Sequence, residues 1–140
     1  MKHFNWKKTY ETGISEIDKQ HRHLFDIANT FYDILFSETF TPDNNEIFNI
    51  LKKLKSYSDF HCKYEKKIYP EEIVQAYFDI ENLLAEKISE LLNSYKSNNI
   101  IVLYGFADFL RKWLLKHILI LNTENFKEVF KKEVFNLSCN

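Results

Sequence analysis

The chain is poor in residues that interrupt helices. Among 140 residues there are two glycines and two prolines, too few turn-formers for a protein of many short strands. Neither sign of charge is in excess: 19 basic and 20 acidic residues give a formal net charge of −1. That balance argues against the clustered positive surface of a nucleic-acid binder. No apolar run reaches the ~18 residues of a transmembrane span, so no membrane partner is expected. The first residues, MKHFNWKKTYETG, lack the apolar stretch of a secretory signal. The two cysteines, Cys62 and Cys139, form no CxxC or zinc-knuckle spacing. They read as reduced thiols of a cytoplasmic protein, with a single Cys62–Cys139 disulfide as the alternative. What the chain does have is 45% hydrophobic and 16% aromatic residues, which excludes disorder and is enough for one domain over residues 1–140.

The few breakers divide the chain into helical segments. Gly13 closes an N-terminal arm, and Ser15 is placed to cap the first helix, with Asp18 near its positive end. Thr41-Pro42 marks a second start, a capping residue followed by proline at the first helical position. Pro70 opens a third segment, and Ser97-Asn98-Asn99 separates it from a fourth. Asn122-Thr123 precedes a short final helix, ENFKEVFKKEVF. Within the segments apolar residues recur in alternating steps of four and three. The first stripe is Ile17, His21, Leu24, Ala28, Phe31, Leu35. The second is Ile47, Leu51, Leu54, Ser58, His61, Glu65, Ile68. The third is Ile73, Tyr77, Ile80, Leu84, Ile88, Leu91, Tyr95. The fourth is Leu103, Ala107, Leu110, Leu114, His117, Leu121. Four such stripes with short connections predict an all-α, up-down-up-down antiparallel four-helix bundle.

Four polar residues interrupt the stripes: His21, His61, Glu65 and His117. His21 lies near the start of its helix, His61 near the end of the second and His117 near the end of the fourth. An antiparallel bundle brings all three to one end. A buried carboxylate must be neutralised, paired or metal-bound, and imidazole nitrogens with an anionic oxygen are the donors that iron or zinc takes. The alternative is a hydrogen-bonded Glu65–histidine network without metal. Other residues point to nothing specific. His23, about 200° around the helix from His21, is expected to be solvated. His3 lies in the arm, Cys62 reads as a small buried side chain, and Trp113 serves either as core or as a wall beside His117. There is no nucleophile–base pair and no glycine-rich phosphate loop, so an enzyme is not expected.

FNWKKTYETGISEIDKQHRHLF, HCKYE and WLLKHI resemble three blocks of the bacterial hemerythrins: the arm with D-x-Q-H on the first helix, H-x-x-x-E on the second, and the tryptophan-to-histidine stretch on the fourth. The resemblance covers nearly the whole chain. It implies a four-helix bundle whose core holds an oxygen-bridged pair of non-haem irons that binds O2, with five histidines and two bridging carboxylates as ligands. By matching motif, His21 and His61 would hold one iron, Glu65 would bridge, and His117 would serve the other.

The departures are specific. Residues 62 to 116 contain no histidine, so the family's H-x-x-x-H on helix three is missing. Counting without a gap from Glu65 puts that pair at Ile80 and Leu84; matching AYFDIENLLAEK to the family's tyrosine-proline segment puts it at Leu83 and Lys87. The first placement keeps both on the core stripe and is preferred. The expected second bridging aspartate reads Asn122, a poor ligand between two cations. The surviving His21, His61 and Glu65 form a two-histidine, one-carboxylate group of the mononuclear non-haem iron type, with His117 a fourth donor if the bundle pinches inward. Asn122 and Trp113 are left as weak or neighbouring participants. The expectation is therefore a hemerythrin-like protein with one iron, binding or sensing iron, O2 or another small diatomic ligand. The alternative is a metal-free bundle retained for protein interaction.

Overall fold

The computed structural model describes residues 4–41, 45–76, 78–94 and 100–121, all with their side chains except 73, 76, 78–81, 94 and 119–121. After a short 3-10 turn, Lys8–Tyr10, the helices are α1 (Ser15–Leu35), α2 (Asn45–Ile68), α3 (Glu71–Ala76), α4 (Phe78–Ser94) and α5 (Ile100–Leu121). No strand occurs among the described residues. The long helices α1, α2, α4 and α5 pack in a ring, α1 against α2, α2 against α4, α4 against α5 and α5 back against α1. Contacts along α5 fix its direction. Phe36, just past the end of α1, stacks on Tyr104 near the start of α5, and the Tyr32 hydroxyl donates to the Ala107 carbonyl at 2.7 Å. The expected all-α four-helix bundle is the fold.

The stripes become its core. Ile17, Leu24, Ala28 and Phe31 of α1 are completely enclosed, as are Ile47, Leu51 and Leu54 of α2, Leu84 and Ile88 of α4, and Leu110 and Leu114 of α5. Ile68 is an exception at 38% exposed, and the next residue, Tyr69, is buried in its place. The third segment is divided: α3 and α4 lie on either side of Tyr77, which is outside the described residues. So are Pro42, His3, Asn122, Cys139 and the expected C-terminal helix. Cys62, expected to be buried, is half-buried.

The start of α1 differs from expectation. Ile14, not Ser15, flanks the helix, and no side chain caps it. Asp18 instead reaches back into the arm. Its Oδ1 accepts from the Thr12 backbone N–H at 2.7 Å and from the Thr12 hydroxyl at 2.9 Å, and that hydroxyl accepts from the Ile14 N–H at 3.1 Å. The short carboxylate and hydroxyl together close the turn, which Gly13 permits by adopting a φ of 87°. Further back, Asn29 holds Phe4 by paired backbone contacts of 2.7 and 2.9 Å, and Trp6 packs edge-on against Phe25 beneath Arg22. The arm is thereby pinned along α1.

Candidate metal centre

The helix directions place His21, His61, Glu65 and His117 at one end of the bundle, where all four are buried. Their facing ligand atoms lie within 4.8 Å of one another. His117 Nε2 is 3.2 Å from both His21 Nε2 and His61 Nε2. Glu65 Oε1 is 3.3 Å from His117 Nε2 and 3.6 Å from His21 Nε2, and it touches His61 Nε2 one turn away on the same helix. Trp113, 3% exposed, stacks on the His117 ring with centroids 4.9 Å apart and planes 11° from parallel. It is a wall of the site as well as a core residue.

Above and below, the surroundings are apolar. Leu24 and Leu114, three residues after His21 and three before His117, are fully enclosed. Toward the bundle end Ile17, four residues before His21, packs with Tyr69, four residues after Glu65, and with Ile14, Tyr64 and Val74. In this dry setting burial pushes the His21 imidazole down to about 3, so it is neutral at ordinary pH. Burial alone would raise the Glu65 carboxyl. The neighbouring His117, His61 and His21 imidazoles outweigh it and hold Glu65 well below its usual range.

One polar partner was not anticipated from the sequence. His61 Nδ1 lies 2.8 Å from Gln20 Oε1, and Gln20 Nε2 donates to Glu16 Oε1 at 3.1 Å. An amide oxygen only accepts, so His61 carries a proton on Nδ1. Unless the ring is also protonated at Nε2, that nitrogen faces Glu65 and His117 with its lone pair. The available signal was Gln20 itself, an amide beside His21 and three residues after Ile17, on the helix face that α2 covers. His23 also differs from expectation: it is half-buried with its ring 4.3 Å from that of Tyr57.

The donor set fits a metal ion. A bare imidazole nitrogen and a carboxylate oxygen repel when they face each other without a proton or cation between them. Glu65 Oε1 is buried with three imidazole nitrogens around it yet has no well-formed hydrogen bond. For metal–nitrogen bonds of about 2.0–2.1 Å, two nitrogens stand roughly 2.8–3.0 Å apart at right angles and roughly 3.3–3.4 Å apart at the tetrahedral angle. The observed 3.2 Å separations fall between those limits. On α4, facing α2 and α5, Leu84 is fully buried and aliphatic, while Leu83 at 39% exposure and Lys87 lie outside the core.

Fold and cluster together define a helical bundle of the kind that carries a metal in its core. A bacteriohemerythrin of Clostridium acetobutylicum is 32% identical over 125 residues, spanning 83% of this chain and 93% of that protein. One of Pseudomonas paraeruginosa is 24% identical over 121 residues, spanning 84% of this chain and 76% of that protein. The chain belongs to the bacteriohemerythrin family. No family model matches it, and no solved structure matches it significantly.

Proposed function

We propose that this chain binds one non-haem iron through His21, His61, Glu65 and His117, and that it binds or senses iron or a small diatomic ligand such as O2 without catalysing a reaction. The observation that carries this reading is the convergence of three Nε2 atoms and one carboxylate oxygen from three helices within 4.8 Å. Iron held there would supply a redox-active Lewis acid. The residues themselves do the rest. His21, neutral through burial, has only to shift its one ring proton to Nδ1 to offer an Nε2 lone pair, with no net loss of a proton. Glu65, kept anionic, offsets two units of cationic charge in part, and the apolar layers limit access to small uncharged molecules. A second iron is poorly served: at the preferred placement Leu84 offers no lone pair, and residues 62 to 116 contain no histidine.

Trp113 provides the test, because a metal on His117 quenches an indole stacked on that ring. Anaerobic titration with Fe(II) should quench Trp113 fluorescence to an end point at one equivalent per chain. Trp113→Phe should lose the response while Trp6 remains, and His61→Ala should bind more weakly by at least tenfold. No quenching and no bound metal would leave the metal-free interaction bundle as the better reading.

A further inference from the structure

We propose that Gln20 is a positioning residue that fixes His61 as a ready-made donor, and that Glu16 sets the direction of the Gln20 amide. The inference rests on the metal-binding reading above for its purpose but not for its geometry. Gln20 is 1% exposed, so its amide has few ways to be satisfied, and both its ends are engaged. Glu16, on the exposed side of α1, is an acceptor only when ionised and must face the NH2 group. The contact of 3.1 Å therefore turns the amide oxygen inward, where it meets His61 Nδ1 at 2.8 Å. Without Glu16 the amide can turn over and present NH2 to the ring. The imidazole would then place its proton on Nε2, the nitrogen that faces the cluster.

His21 supplies an internal contrast. Its Nδ1 is buried without a hydrogen-bond partner among the described residues, so nothing there draws the proton away from Nε2. Two rings of the same cluster thus differ in preparation, and the difference originates in one amide. Gln20 and His21 are also neighbours in sequence. α1 therefore supplies one donor directly and, through the preceding residue, orients a second donor on α2. A metal-ligating imidazole is commonly oriented by an acceptor on its other nitrogen; here the acceptor is a neutral amide whose own orientation is set by a carboxylate at the surface.

The test uses the full chain, first without metal. Long-range proton–nitrogen NMR of 15N-histidine-labelled protein at pH 8 should show His61 protonated at Nδ1 and bare at Nε2. Gln20→Leu removes the acceptor and should shift His61 toward the opposite tautomer, with Co(II) affinity reduced about 10–100-fold. Gln20→Glu keeps an acceptor oxygen and should restore the wild-type tautomer. Glu16→Ala, an exposed change that spares the core, should give a mixture of tautomers and a smaller loss of affinity. If Gln20→Leu does not fold, Glu16→Ala and Gln20→Glu still decide the matter. His61 bare at Nδ1 in the wild type, or an unaltered tautomer in a folded Gln20→Leu or Glu16→Ala, would overturn the proposal. A shifted tautomer in a chain that takes up no Co(II) would uphold the positioning and count instead against metal binding.

Discussion

Removing metal should leave a bundle that is sensitive to mild acid, and His21 is the residue that makes it so. Its folded-state pKa lies near 3 against 6.5 for the free side chain. Between those values the unfolded chain binds the proton and the folded chain does not, so falling pH favours unfolding. Well inside that window each pH unit lowers stability by about 1.4 kcal/mol. Over the whole window the loss is on the order of 4–5 kcal/mol, a large share of the roughly 5–15 kcal/mol that holds a small domain together. Glu65 adds to the loss at lower pH. Its folded-state pKa is depressed, so its contribution is present above the ordinary carboxylate range and disappears as pH falls through the lower folded value. Urea unfolding of metal-free protein between pH 7.5 and 4.5, followed by circular dichroism, measures the slope. With an m-value of about 1–3 kcal/mol/M, the midpoint should fall by roughly 0.5–1.4 M per pH unit. His21→Leu removes the proton site and should flatten that dependence between pH 6 and 5, whatever its effect on absolute stability. A slope as steep in His21→Leu as in the wild type would refute the assignment to His21.

The arm offers a second check. Asp18→Ala strands the Thr12 N–H and should cost about 1.5–3 kcal/mol by denaturant unfolding, whereas Ser15→Ala, which removes no cap, should change stability little. The positions matched to the missing family ligands offer a third. Ile80→His with Leu84→His and Asn122→Asp should bind two irons and show an O2-dependent visible spectrum. It should also lose stability without metal, since burying an aliphatic side chain such as Leu84 contributes about 1.5–3 kcal/mol. Leu83→His with Lys87→His and Asn122→Asp should fail in the same assay, because Leu83 and Lys87 lie outside the core; success of that variant alone would mean that the ungapped placement of the missing pair on α4 is wrong.

The bundle was legible in the sequence because burial on a helix has a period. Every described side chain expected on the first, third and fourth stripes is buried, and the second stripe fails only at its last residue, Ile68. The convergence of His21, His61, Glu65 and His117 was legible for the same reason, since each replaces an apolar residue on a stripe and antiparallel connection puts them at one end. What periodicity does not carry is side-chain reach. Ser15 satisfies every rule for a helix cap, yet Asp18, one turn later and longer, bonds to Thr12 and closes the entry turn. Gln20 gave only a weak signal, an amide beside His21 on the covered face, because glutamine is an ordinary helix residue; the placement of His61 across α1 and α2 gives its amide a role. His23 was expected in water, and the neighbouring Tyr57 on α2 covers it.

The central claim is that one end of this bundle holds a single metal ion. Protein produced without a histidine tag in iron-replete medium, purified and analysed for metal by elemental analysis against quantitative amino-acid analysis, tests it most directly. The account predicts close to one iron per chain in the wild type and almost none in His61→Ala. Two irons per chain, with the near-ultraviolet absorption of an oxo-bridged pair, would contradict it.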